Sequence, residues 1–194
     1  HLEDVLIRDT RSSRMGNSGR GLQIQEGASL TANGLHIIGN REAGVFVVDE
    51  NTLFEAHELV VSDTKEAACA ANNTCPFLGG FGDGVVVLGG ATVKLSDFLI
   101  KENERVGLFM ASAEDTEFTA VNGIPTFEGK EGSVVDNEYG VNMKGVDLHS
   151  EGISIDAFAC FDNVSTVDGC MCAVNLEIPN PTKEIENILG KEED

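Results

Sequence analysis

GLQIQEGASLTANGLHIIGNREAG, residues 21–44, begins and ends on a glycine, and each of these glycines opens a short run in which every second residue is apolar. The same opening recurs as GVFVV at Gly44, GVVVL at Gly84, GLFMA at Gly107 and GVNMK at Gly140. The spacings are 23, 40, 23 and 33, which reads as one period of 23 lengthened by insertions of 17 and 10 residues. A second landmark precedes the glycines, where apolar segments end at Asp9, Asn40, Asp63, Asn103, Asn137 and Asn163. A period of 23 predicts an all-β, single-stranded right-handed parallel β-helix, each coil carrying three short strands and stacking on the next at about 4.8 Å. Asx residues suit its tight turns because they tolerate the left-handed backbone and can hydrogen-bond along the stack, so the six are read as one ladder.

Alternation assigns the faces. Leu22/Ile24, Val45/Val47, Val85/Val87, Leu108/Met110 and Val141/Met143 follow the glycines at inward positions. Leu30, Val93 and Phe118 are expected inward from the second strand, and Leu35, Ile37, Phe98, Ile100, Phe158 and Cys160 from the third. The intervening residues run Gln23/Gln25, Phe46/Val48, Val86/Leu88, Phe109/Ala111 and Asn142/Lys144, which puts an apolar stripe outside the three middle coils. A stripe of that size needs a cover. The inserted loop with CPFLGGF, a C-terminal segment around Ile185, Ile188 and Leu189, and a partner surface are the options.

Two turns are long. TRSSRMGNSGR separates Asp9 from Gly21, and TKEAACAANNTCPFLGGFGD separates Asp63 from Gly84, whereas three residues suffice between Asn40 and Gly44. Both loops leave one edge, two coils apart, so their roots should lie about 10 Å from each other. Loops on a rigid scaffold are where binding is usually built.

The whole-chain composition agrees. The 194 residues include 22 glycines, four prolines, one tyrosine and no tryptophan, favouring short strands and turns over packed helices. A formal charge of −20 argues against nucleic acid or an anionic membrane as partner. No apolar run approaches the roughly 20 residues that span a bilayer, and none reads as a signal peptide. HLEDVLIRDT opens almost at once into an apolar run, so an upstream domain of the same polypeptide is expected. Residues 1–181 form the predicted β-helix, and 182–194 a short charged tail or cap with Thr182 as N-cap.

RDTRSSRMGNSGRGLQIQEGASL, then CAANNTCP with GDGVVVLGGATVKLSDFLIKEN, and finally NEYGVNMKGVDL, FACFDN and LEIPNP resemble the C-terminal parallel β-helix domains of large secreted or surface proteins of myxobacteria and related bacteria. The resemblance covers nearly the whole chain and implies the β-helix fold and a secreted or outer-surface setting, with no activity attached. More remotely the fold is that of pectate lyases, polygalacturonases and adhesins, among which fold alone does not choose. In such a setting Cys69 and Cys75, six residues apart within one loop, are expected to form a disulfide. One bridge among Cys160, Cys170 and Cys172 is plausible, whereas a zinc site there lacks a fourth ligand.

The chemistry that would make an enzyme is sparse. Arg11, Arg14 and Arg20 gather in the first loop, which could grip an anionic polymer, and the neighbouring loop adds Lys65, Glu66 and Asp83. A polysaccharide lyase would pair such a base with calcium on carboxylates, yet no carboxylates recur at alternate positions of an outer strand face. Adjacent or once-spaced aspartates, as a polygalacturonase-like site needs, are missing. His36 and His57 stand singly on outward positions, His149 borders a turn, and no nucleophile elbow is present. The expected function is therefore a non-catalytic scaffold or binding domain with no cofactor, calcium being conceivable, and a polysaccharide or cell-surface protein as partner. A lyase-like domain acting on an acidic polysaccharide, or an oligomerisation module burying the outer stripe, are the alternatives.

Overall fold

A computed structural model describes residues 1–12, 19–66, 82–111 and 123–144, with the backbone alone of 153–154 and 158–161. Every described element is a strand. They are β1 (Leu2–Arg8), β2 (Leu22–Ile24), β3 (Ser29–Ile38), β4 (Ala43–Val47), β5 (Leu53–Ser62), β6 (Asp83–Leu88), β7 (Thr92–Lys101), β8 (Val106–Ala111), β9 (Thr126–Val135), β10 (Tyr139–Lys144), β11 (Ile153–Ser154) and β12 (Phe158–Phe161). Odd-numbered strands up to β9 lie side by side in chain order in one sheet, and β11 and β12 both pair with β9. The even strands β2 to β10 form the other sheet, again in chain order. All pairings between them are parallel, so the chain passes alternately from one sheet to the other and adds a neighbour to each at every return.

The glycine repeat is a register column. Leu22, Val45, Val85, Leu108 and Val141 are successive partners, which lines up Gly21, Gly44, Gly84, Gly107 and Gly140 immediately before them. No side chain fits in that column. A Cβ on Gly44 would lie 2.4 Å from Val61 Cγ1 and 2.7 Å from the Gly84 carbonyl oxygen, and the contacts at Gly21, Gly84 and Gly107 repeat the pattern. The recurrent glycine therefore marks where the smaller sheet passes hard against the larger one.

The second and third strands expected in each coil are one continuous bent strand. β3, β5, β7 and β9 are each ten residues long, with a left-handed residue in the middle: Gly34, Glu58, Asp97 and Glu131, with φ between 50° and 67°. That residue reverses the inward parity. Leu30 and Ala32 lead to Leu35 and Ile37, and Phe54 and Ala56 to Leu59 and Val61. The register skips the bend residue and resumes unshifted beyond it, so two faces are made within one sheet.

Inward columns from both sheets build one core, in which Leu35, Ile37, Val45, Val61, Val85 and Leu108 are inaccessible to solvent. The second-strand column reads Leu30, Phe54, Val93, Phe127. Phe127 thus holds the place expected for Phe118, which lies outside the described residues. Phe98 and Phe127 meet edge to face with centroids 6.1 Å apart. The outer stripe is not bare: Phe46, Val48, Val86, Leu88 and Ala111 are buried within the chain as a second apolar cluster.

Candidate functional site

The corner between the end of each long strand and the start of the next short one is where both long loops leave. Two columns run along it. The first holds Asp9, Gly39, Asp63, Glu102 and Asp136, four of them carboxylates with φ of 54° to 56°, turned to solvent. The next holds Thr10, Asn40, Thr64, Asn103 and Asn137, turned inward, the last four buried. The single ladder expected from the sequence is therefore split. Asp9 and Asp63 belong to the exposed column, and the threonine after each takes the inward place beside Asn40, Asn103 and Asn137. A bulky charged carboxylate cannot enter a buried column without a cationic partner, whereas a threonine can. Asn163 lies outside the described residues.

The inward column is joined through side-chain amides. Asn40 Oδ1 accepts from Thr10 N at 3.1 Å, Asn103 Oδ1 from Thr64 N at 3.1 Å, and Asn137 Oδ1 from both Asn103 N and Asn103 Nδ2. Asn40 Nδ2 and Thr64 Oγ1, neighbours in the column, are buried without a hydrogen-bond partner. The threonine hydroxyl is one bond too short to continue the chain of amides.

Beyond this column the chain returns to the smaller sheet through paired charges. Arg20 donates from Nε and Nη2 to a single oxygen of Glu42, with its guanidinium 3.5 Å above the Phe46 ring. Glu42 is buried, and its second oxygen has no partner. Two repeats further on, Arg105 grips both oxygens of Asp83 and lies 5.5 Å from the Phe109 ring centre. Val106 N donates to the same carboxylate. Burial pushes the Asp83 carboxyl above its ordinary value; Arg105 and Val106 N–H pull it back in part, and the Glu42 charge adds to the rise. Burial opposes the charge on Arg105, but its hydrogen bond to Asp83, then the charges of Asp83, Glu66 and Glu138, hold its pKa above the ordinary arginine value.

The residues singled out from the sequence are thus divided. Arg20 and Asp83, expected to face a ligand, are tied inside the corner by Glu42 and Arg105 because each lies directly beside a strand that can present an opposite charge. Arg11 is exposed. Lys65 pairs with Asp63 at 3.4 Å, and Glu66 N–H bonds to the Glu104 carboxylate while its carbonyl accepts from Arg41 at 3.1 Å. Arg14, Cys69 and Cys75 lie outside the described residues, as do Cys170 and Cys172. Among the described residues no group of three or more His, Cys, Asp or Glu is placed to hold a metal ion.

A second polar locality lies on the outer side of the larger sheet. A groove of about 640 Å³ crosses β3, β5, β7 and β9. Its floor is the backbone of one column, Ala32, Ala56, Leu95 and Gly129, in which the first three turn their side chains into the core and the glycine has none. One wall is Thr31, Glu55, Lys94 and Glu128; the other is His57, Ser96 and Lys130. Lys94 bridges to Glu128 at 3.3 Å. His57 Nδ1 lies 3.1 Å from both Ser96 Oγ and Asp97 Oδ2, so this histidine is not single. Both partners face the same ring nitrogen, which is not the relay of a nucleophilic serine, where the base meets serine and carboxylate through different nitrogens. The sequence held one signal for this cluster, the 39-residue register between β5 and β7, and it is readable only once the insertion is placed.

No family model matches this chain, and neither a curated protein nor a solved structure matches it.

Proposed function

We propose that the two sheets are the faces of a right-handed parallel β-helix, and that the chain serves as a non-catalytic scaffold and binding domain of a secreted or cell-surface bacterial protein. Alternation of strands between two parallel sheets in strict order supports the coil, and parallel connections are right-handed in nearly all folds. The observation that carries the functional reading is the fate of the corner charges: Arg20 with Glu42, and Asp83 with Arg105, are paired and largely withdrawn from solvent. Such pairs lock loop roots to the coil; they do not leave a free base beside a free acid, which proton abstraction or glycosidic hydrolysis requires.

Among the described residues β1 and β2 have a strand on one side only, with Leu2, Val5, Ile7 and Leu22 partly buried, and in this reading a partner domain docks against them. The test is thermal unfolding against a panel of acidic and neutral polysaccharides, with and without calcium, together with an assay for chain cleavage. A raised midpoint with one polymer and no cleavage is expected, because a ligand bound only by the folded state stabilises it. Depolymerisation of any member would replace the scaffold reading with the lyase-like one.

A further inference from the structure

We propose that the groove across β3, β5, β7 and β9 binds a linear, uncharged, hydroxyl-rich polymer lying along the stacking axis. This rests on the reading of the chain as a binding scaffold and names the ligand class. Four observations select that class. The groove crosses successive strands, so its walls present a fresh pair of side chains every 4.8 Å or so, over a length of about 14 Å between the outermost strands. The floor is main chain from the middle of a sheet, whose N–H and C=O groups are engaged with neighbouring strands; it offers nothing to the backbone of an extended peptide.

Recognition is left to the walls, which mix acceptors such as Glu55 and Glu128 with donors such as Lys94 and Lys130 and the two-way hydroxyls of Thr31 and Ser96. A ligand dense in groups that both donate and accept, as a polyol chain is, satisfies both kinds. The formal charges of the lining cancel, Glu55 and Glu128 against Lys94 and Lys130, and both lysines are already paired, Lys94 with Glu128 and Lys130 with Glu131 at 3.8 Å. The lining offers a polyanion no unpaired lysine, and the carboxylates of Glu58, Asp97 and Glu131 along the bend oppose one further. The acidic polymer considered from the sequence would need the exposed Arg11 instead, outside this groove.

The experiment is isothermal titration of the intact chain with cellohexaose, mannohexaose and, as the anionic comparison, a polygalacturonate hexamer. The variants are Glu55→Ala/Lys130→Ala within the groove and Arg11→Ala outside it. Both groove positions are exposed, so the double variant is expected to keep the parent melting temperature. Binding of a neutral hexamer, weakened roughly tenfold or more by the groove variant and unchanged by Arg11→Ala, is the expected result. Failure of both neutral hexamers to bind, or neutral binding indifferent to the groove variant, overturns the proposal. Binding of the anionic hexamer alone, lost with Arg11→Ala, overturns it while leaving the scaffold reading intact. Cleavage of a neutral hexamer by the parent but not by the groove variant keeps the groove and overturns the non-catalytic reading.

Discussion

Replacing Arg105 by methionine removes the guanidinium from Asp83 while keeping an unbranched chain beside Phe109. Asp83 has no solvent exposure and Arg105 is 33% exposed, so the variant strands a carboxylate that water cannot reach. Breaking a buried pair by deleting one partner costs about 3–5 kcal/mol. Because the arginine tip is partly hydrated, the lower end applies, about 3 kcal/mol, with roughly 0.5 kcal/mol more for the lost cation–π contact. For a chain of this length that lowers the melting temperature by about 10 °C. The pH dependence is diagnostic. Burial already holds the native Asp83 pKa above 3.8, the unfolded value, so between the two values the native state binds the extra proton and stability falls as pH rises. Without Arg105 the native pKa rises further and the window widens upward. The deficit of Arg105→Met should therefore be full at pH 7.5 and shrink on acidification, by up to about 1.4 kcal/mol per pH unit inside the window. Adding Asp83→Asn should restore most of the loss at pH 7.5. Urea unfolding at pH 7.5 and pH 5, with unchanged m-values, measures all of this. A deficit under about 1 kcal/mol at pH 7.5, or one that is the same at both pH values, would refute the assignment of Asp83 as an ionised buried partner.

Three further variants test the frame. Thr64→Asn places an amide where Asn40 Nδ2 lacks a partner and should raise stability by about 1 kcal/mol, seen as a higher urea midpoint; Asn103 already fits the same column beside Gly84, and a lowered midpoint would contradict the ladder. Gly44→Ala drives a methyl group against Val61 and the Gly84 carbonyl and should cost about 1–3 kcal/mol in urea unfolding, whereas at Gly27, where an added Cβ meets nothing closer than 3.9 Å, the cost should be only the roughly 1 kcal/mol of its left-handed backbone. Phe54→Ala empties a fully buried place in the second-strand column and should cost about 3–5 kcal/mol by calorimetry.

The glycine column and the inward alternation after it were legible because both follow from steric rules that act within a few residues. The bend in the long strands was not. Its left-handed position carries Gly34 and Asp97, which favour a turn, but also Glu58 and Glu131, which do not, so no common residue type marks it and one bent strand read as two. Asp9 and Asp63 were drawn into the ladder because an Asx beside a threonine looks like the turn residue, and the turn it does make faces outward. The partners of Arg20 and Asp83 are charges 22 residues away, and Ser96 lies 39 residues from His57. Such pairings become visible only through register, and register depends on where each insertion is placed.

The two long loops share one kind of anchorage. Each departs after a threonine of the inward column, Thr10 or Thr64, and comes back at a glycine whose carbonyl is held by the following repeat: Gly19 O by Arg41 N at 2.9 Å and Gly82 O by Arg105 N at 3.1 Å. The strands before and after each loop keep one register, and the short turn at Asn40 closes the same gap with three residues. The corner is thus a splice point. Segments of different length and chemistry can be exchanged there without shifting the register of either sheet, so the body can stay constant while what it carries at that edge is rewritten.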